Sequence, residues 1–206
     1  PEGDFLFDTG GGMTIMNNAE KLGIDFTYLQ GIMFSHGHYD HAGGLVDVLG
    51  LTGPVDLYLH PDAFGERYWV GLHENRPIGV PFRGELLESL GARFRYVSDF
   101  CEIAPGLFLT GEVQRVTPFE TGDPHLQVPS EGGELIPDPL RDDLSLVIDT
   151  ARGLVVLLGC AHAGTVNILR HVLKQTGRDR IYAVVGGTHL GPAGEARLHS
   201  TVQARR

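Results

Sequence analysis

The stretch Phe34–Leu45, FSHGHYDHAGGL, places His36, His38, Asp40 and His41 within six residues. Neutral imidazoles and an ionised carboxylate are what a divalent ion binds, at roughly 2.0–2.2 Å. His36 and His38 supply two nitrogen donors from one turn, and Asp40 and His41 follow directly. One loop cannot easily wrap four side chains around a single ion and leave room for substrate, so the spacing points to two ions. Gly37, Gly43 and Gly44 let the backbone fold closely around them. Two ions about 3.5–4 Å apart can share a bridging water, lower its pKa toward neutrality and stabilise both attacking and leaving oxygens. The chemistry this implies is hydrolysis of a small phosphate ester, carboxylic ester or amide. No Gly-x-Ser-x-Gly turn suggests a covalent route instead.

Strands and helices that could hold such a loop alternate along the chain. Asp4–Phe7 reads as a short strand running into Asp8 and a glycine turn, and Gly31–Phe34 as a strand ending at the histidines. Val55–His60 and Ala92–Val97 alternate as strands do, and Leu107–Val116 continues the signal. Helices are expected after Asn17 or Asn18 with a stop at Gly23, from Gly43 onward, over Glu85–Gly91, and from Gly164 to Gln175 with Gly177 as the cap. Leu144–Asp149 and Leu154–Gly159 make a hairpin whose second strand is apolar throughout, as in a strand buried on both faces. Ile181–Val185 is the last strand. Thr121–Asp143, rich in Pro and Gly without periodicity, reads as a long functional or mobile loop. Three buried strands thus end in donors: Phe34 before His36, Gly159 before Cys160 and His162, Val185 before His189.

Composition narrows the partners. The chain has 206 residues and a formal charge of −10, with its basic residues scattered, which argues against nucleic acid or anionic membrane as a partner and for a small-molecule substrate. No apolar run reaches the roughly 20 residues of a membrane span, the start lacks a secretory pattern, and two cysteines make no disulfide framework, so a cytoplasmic location is expected. Length favours one domain over residues 1–206, and the oligomeric state is left open. His60 reads as structural, and His73, His125, His171 and His199 have no spacing that draws them in. Tyr68 and Trp69 read as core rather than as a substrate wall. The glycines after Asp8 match neither nucleotide-binding pattern.

HGHYDHAGGL matches the His-x-His-x-Asp-His signature of the metallo-β-lactamase fold superfamily, and FDTG matches its first motif. Together with HPDAF, DDLSLVIDT, GLVVLLGCAHAGTVNIL and VVGGTHL, these blocks resemble the branch containing dihydropterin-aminobenzene ribofuranosyl phosphate synthase-like proteins, from Phe5 to Leu190. The resemblance implies an α/β fold, an αββα sandwich of two mixed sheets with outer helices. It implies His36, His38 and His162 on a first metal, Asp40, His41 and His189 on a second, and Cys160 at the strand-end ligand position. Asp40 takes a catalytic role, with Asp8 supporting the site. A histidine expected before the hairpin is replaced by RDDLSL, where Asp142 or Asp143 stands instead. The ions implied are two Zn2+, with Mn2+ or Fe2+ as alternatives. Beside hydrolysis stand transfer of a pterin pyrophosphate to an aminobenzene riboside phosphate, and metal-containing binding without turnover. Relatives carry sequence before FLFDTG and after GGTHL, so the domain is expected to be incomplete at both ends.

Overall fold

The computed structural model describes residues 3–204. Strands and helices are numbered along the chain. The residues gather into two compact units: one takes the chain up to Val97 together with His125–Asp138, the other Ser98–Pro124 and the chain from Pro139 on. They are called the N-terminal and C-terminal units below.

In the N-terminal unit, β1 (Asp4–Phe7), β2 (Leu29–Met33), β3 (Val55–Leu59) and β6 (Ala92–Tyr96) form a wholly parallel sheet in the order β1-β2-β3-β6. Parallel neighbours need crossovers. Helices α1 (Ile15–Leu22), α3 (Leu45–Thr52) and α4 (Gly84–Ser89) supply them, while a short helix α2 (Tyr39–Ala42) carries Asp40 and His41. The sheet and helices share a core in which Ile32, Phe34, Leu45, Leu49, Leu57 and Leu59 are shut off from solvent. Burying each such side chain contributes about 1.5–3 kcal/mol, which anchors the end of β2 and so the loop that leaves it. Helix α1 starts earlier than the asparagines suggested, with Thr14 in the cap position, and stops at Gly23 as expected.

This unit also holds a small antiparallel sheet, β10-β9-β4-β5, from β4 (Tyr68–Val70), β5 (Asn75–Pro77), β9 (Leu126–Pro129) and β10 (Leu135–Pro137). The expectation of one unstructured loop over Thr121–Asp143 is thereby corrected, because that segment contains the β9–β10 hairpin. Its strands are three and four residues long and contain prolines, too short for a period-2 pattern to register.

In the C-terminal unit a mixed sheet runs β13-β12-β11-β8-β7, from β7 (Cys101–Ala104), β8 (Leu107–Leu109), β11 (Ser145–Thr150), β12 (Gly153–Leu158) and β13 (Ile181–Gly186). Only β12 and β13 are parallel, joined by α5 (Thr165–Thr176), which Gly177 caps in a left-handed conformation. Leu154, Val156 and Leu158 of β12 are buried, with Val147, Ile168 and Val172 around them, but Val155 and Leu157 on its other face are only partly buried, which corrects the expectation of a strand buried on both faces. Two further expectations are corrected. β8 ends at Leu109, so Thr110–Val116 is loop, and β13 is a sheet edge with Tyr182 and Val185 exposed rather than a buried strand. The polar C-terminal stretch forms α6 (Glu195–Ala204), and Arg205 and Arg206 lie outside the described residues. Among the described residues no helix is long and apolar enough to cross a membrane.

Candidate functional site

The N-terminal unit presents its donors where β1 and β2 end. Asp8 follows β1 with φ +61°, a left-handed backbone that Asp tolerates better than most residues. Its Oδ1 accepts from Ser35 N–H and its Oδ2 from Ser35 Oγ, both at 2.7 Å, and His41 Nδ1 donates to Oδ2 at 2.6 Å. Ser35 Oγ also lies 2.9 Å from His36 Nδ1. Thr9 clamps the same loop, donating from its N–H and its Oγ1 to the His41 carbonyl at 2.9 and 3.0 Å, and accepting from Gly44 N–H. The first motif is therefore a bracket for the second.

That bracket aims the imidazoles. His36 Nε2 and His38 Nδ1 stand 3.1 Å apart, and the His36 and His41 ring centroids 4.2 Å apart. His36 and His38 are buried, whereas Asp40 is half-exposed, its Oδ2 3.8 Å from His41 Nε2. Two ligands each about 2.1 Å from a tetrahedral ion stand about 3.4 Å apart, so the spacing of His36 and His38 fits a shared ion. The tight backbone depends on glycine: a Cβ on Gly37 would lie 2.1 Å from the Ala63 carbonyl oxygen, and one on Gly43 2.5 Å from Gly11.

In the C-terminal unit, Cys160, His162 and His189 each place one ligand atom within 4.8 Å of the other two. His162 and His189 have ring centroids 4.4 Å apart. A thiol beside two imidazoles is a donor set suited to zinc. His189 Nε2 lies 3.0 Å from Asp123 Oδ2. The Cys160 sulfur, against the pull of burial and aided by Asp123, holds the His189 pKa above its usual value. Ala161 and His189 both adopt positive φ, +56° and +44°. Of the four non-glycine residues in that conformation among those described, three, Asp8, Ala161 and His189, belong to or contact the two candidate donor clusters, and strain of this kind persists where surroundings over-determine it.

Asp142 and Asp143, raised as replacements for the missing histidine, are both buried. Asp143 Oδ2 accepts from Ala163 N–H at 2.8 Å, so this carboxylate holds the loop after His162. Burial pushes its pKa up to about 6, opposed by the backbone N–H groups of Ala163 and His162. Glu120 is also buried and accepts from the N–H groups of Val166 and Asn167 and from Thr117 Oγ1, closing the start of α5.

Ser35, Thr9, Asp123 and Glu120 are absent from the sequence-based candidates, because a polar residue acting through another leaves no spacing pattern. Ser35 and Thr9 had a signal, the first standing one residue before His36 and the second lying inside FDTG. Trp69, read as core, instead lines a pocket of about 360 Å³ beside His38 and Asp40, and Tyr68 lines another with Phe64.

Residues 1–176 match the model of the metallo-beta-lactamase superfamily. The chain is 30% identical over 209 residues to 7,8-dihydropterin-6-methyl-4-(beta-D-ribofuranosyl)-aminobenzene-5'-phosphate synthase of Methanocaldococcus jannaschii, covering 97% of this chain and 69% of that protein. The crystal structure of a metal-dependent hydrolase of the beta-lactamase superfamily superposes with a TM-score of 0.80 at 33% identity, over 97% of this chain and 72% of that one. A quorum-quenching N-acyl homoserine lactone lactonase matches at a TM-score of 0.52 and 19% identity, over 94% of this chain and 79% of that one, a likeness of fold alone. With its motif histidines bracketed by Asp8 and Thr9, and with these matches across nearly its whole length, the chain belongs to the metallo-beta-lactamase superfamily and has its α/β fold.

Proposed function

We propose that this protein is a metal-dependent hydrolase of a small phosphate ester, carboxylic ester or amide, and that it holds two divalent ions, zinc foremost. The ligands assigned are His36, His38, Asp40 and His41 in the N-terminal unit and Cys160, His162 and His189 in the C-terminal unit. The 3.1 Å approach of the buried His36 and His38 nitrogens supports this most directly, since it is close to the spacing of two ligands on one tetrahedral ion. Bound divalent ions would supply Lewis-acid polarisation and a water acidic enough to attack near neutral pH.

The chain's own groups do the positioning. Asp8, itself fixed by Ser35, holds the proton of His41 on Nδ1 and leaves Nε2 as the lone-pair nitrogen. Asp123 does the same for His189 from its other side. Asp40, half-exposed in the pocket wall, is the carboxylate assigned to move a proton on the substrate side.

A second reading is group transfer, favoured by the 30% identity to a synthase. Metal content by mass spectrometry, on wild type and His38→Ala, comes first. Two ions per chain, with loss in the variant, support the metal assignment, and none after reconstitution with zinc, manganese or iron sinks it. Release of p-nitrophenol from mono- and diester phosphates, in the absence of any acceptor, then supports hydrolysis. Product that forms only with an added aminobenzene riboside phosphate identifies transfer.

A further inference from the structure

The pocket beside His38 and Asp40 is also lined by residues that the metal chemistry does not use. Trp69 is one of them and is held from several sides. Its ring stacks on His125 at 5.5 Å and 20°, and the Arg76 guanidinium lies 4.3 Å from its ring centroid. A Cβ on Gly71 would come within 2.4 Å of Trp69 Cζ3, so the ring rests where only glycine leaves room. His125 is fixed in turn, its Nδ1 2.7 Å from the Val70 carbonyl while its own carbonyl accepts from Val70 N–H at 2.7 Å. Ile78 and Leu126 complete an apolar surface.

Both an acidic and a basic side chain line this pocket. Asp40 belongs to the histidine loop, its Oδ2 3.8 Å from His41 Nε2, whereas Arg76 lies over the Trp69 ring. Arg76 has an ion pair with Glu74 at 3.2 Å, but both side chains are more than half exposed, so the pair is weak and an incoming anion can replace it. On a chain of charge −10, a guanidinium lying over an aromatic ring is a local reversal that suits a phosphate or carboxylate. A volume of about 360 Å³ takes one ring and one anionic group and is too small for a polymer.

We propose that this pocket is the substrate-recognition subsite, and that it selects a small organic anion with a flat apolar body. Arg76 takes the anionic group, the Trp69 edge with Ile78 and Leu126 takes the ring, and the reacting bond is left toward His38 and Asp40. The assignment rests on the enzyme reading above for its purpose, but not for its test.

Trp69 is the only tryptophan in the chain, so intrinsic fluorescence reports on this pocket directly. The probe is phenylphosphonate, which no esterase can cleave, titrated into metal-free and zinc-loaded protein, with inorganic phosphate and benzyl alcohol as its two halves. Saturable change in both forms is expected, with each half binding at least about tenfold more weakly. Arg76→Ala is expected to weaken phenylphosphonate binding by about tenfold or more, read from the midpoint rather than the amplitude, and Arg76→Lys by less. Calorimetry reads the same titrations where emission stays flat. Equal binding of inorganic phosphate, an unchanged midpoint in Arg76→Ala, or no binding by either method overturns the subsite. Binding without metal or turnover retains it and removes the hydrolase reading. Turnover of aryl phosphates with an unaltered KM in Arg76→Ala does the reverse.

Discussion

At the scale of single residues, the candidate donors His41 and His189 are each backed by a carboxylate. Asp8 accepts three hydrogen bonds, one of them from His41 Nδ1. Asp8→Asn keeps the shape and suits the left-handed backbone at φ +61°, so it changes the charge and acceptor capacity with little backbone effect. Its expected result is zinc affinity lower by about 10–100-fold, the usual effect of losing a partner behind a ligating histidine, measured by competition with a chromophoric chelator. Asp123→Asn should do the same through His189. Unaltered affinity in both would mean that these contacts do not set the ligands. Ala161 offers a different test, because its φ of +56° costs about 1–2 kcal/mol that glycine avoids. Ala161→Gly should leave the melting temperature unchanged or higher while weakening zinc retention, since the freed backbone no longer fixes Cys160 against His162. A lower melting temperature with zinc retained contradicts that view.

Among elements, the β9–β10 hairpin shows where sequence reading stops. The histidine-rich loop, the parallel strands before it, β12 and α5 were all legible as elements, because each is a run of apolar residues with a regular period or a motif at fixed spacing. The hairpin has neither. It is held by a long-range ion pair, Arg67 to Asp138 at 3.4 Å, both nearly buried, with Arg67 also donating to the Asp62 carbonyl. Removing one partner strands a buried charge, so Asp138→Ala is expected to cost about 3–5 kcal/mol in chemical denaturation followed by Trp69 emission, since β9 pairs with β4. Likewise no local pattern announced that Glu120 would close α5 from 46 and 47 residues away. A contrasting case lies between β3 and β6, where Arg95 foremost, and Arg93, hold the Asp56 carboxyl below its usual range. A depressed carboxylate contributes stability above its unfolded pKa and loses it as pH falls through the folded value. The contribution is therefore intact at neutral pH and disappears below about pH 4. The arginines are more than half exposed, so Asp56→Asn should cost less than about 1 kcal/mol at pH 7, less again in high salt, and nothing in strong acid.

Taken as a whole molecule, the chain carries 26 acidic and 16 basic residues, and any divalent cation would relieve some of their repulsion. Specific binding must be separated from that screening, and the donor types make the separation possible. His36, His38 and His41, and Cys160, His162 and His189, offer nitrogen and sulfur, which zinc prefers and magnesium does not. An ion bound only by the native state adds about 2.7 kcal/mol at a hundredfold excess over its dissociation constant. For a chain of this length that is roughly 5–10 °C in melting temperature. Zinc added to chelator-stripped protein should raise the Trp69 melting transition by that amount, and chelator should reverse it. Magnesium at equal concentration and ionic strength should move it little. His38→Ala should lose most of the zinc shift while the magnesium response stays as it was. If magnesium matches zinc, the cation is only screening a net charge of −10. Equal zinc shifts in wild type and His38→Ala would instead remove the motif histidines from the binding site, since a ligand that contributes nothing to the linkage is not a ligand.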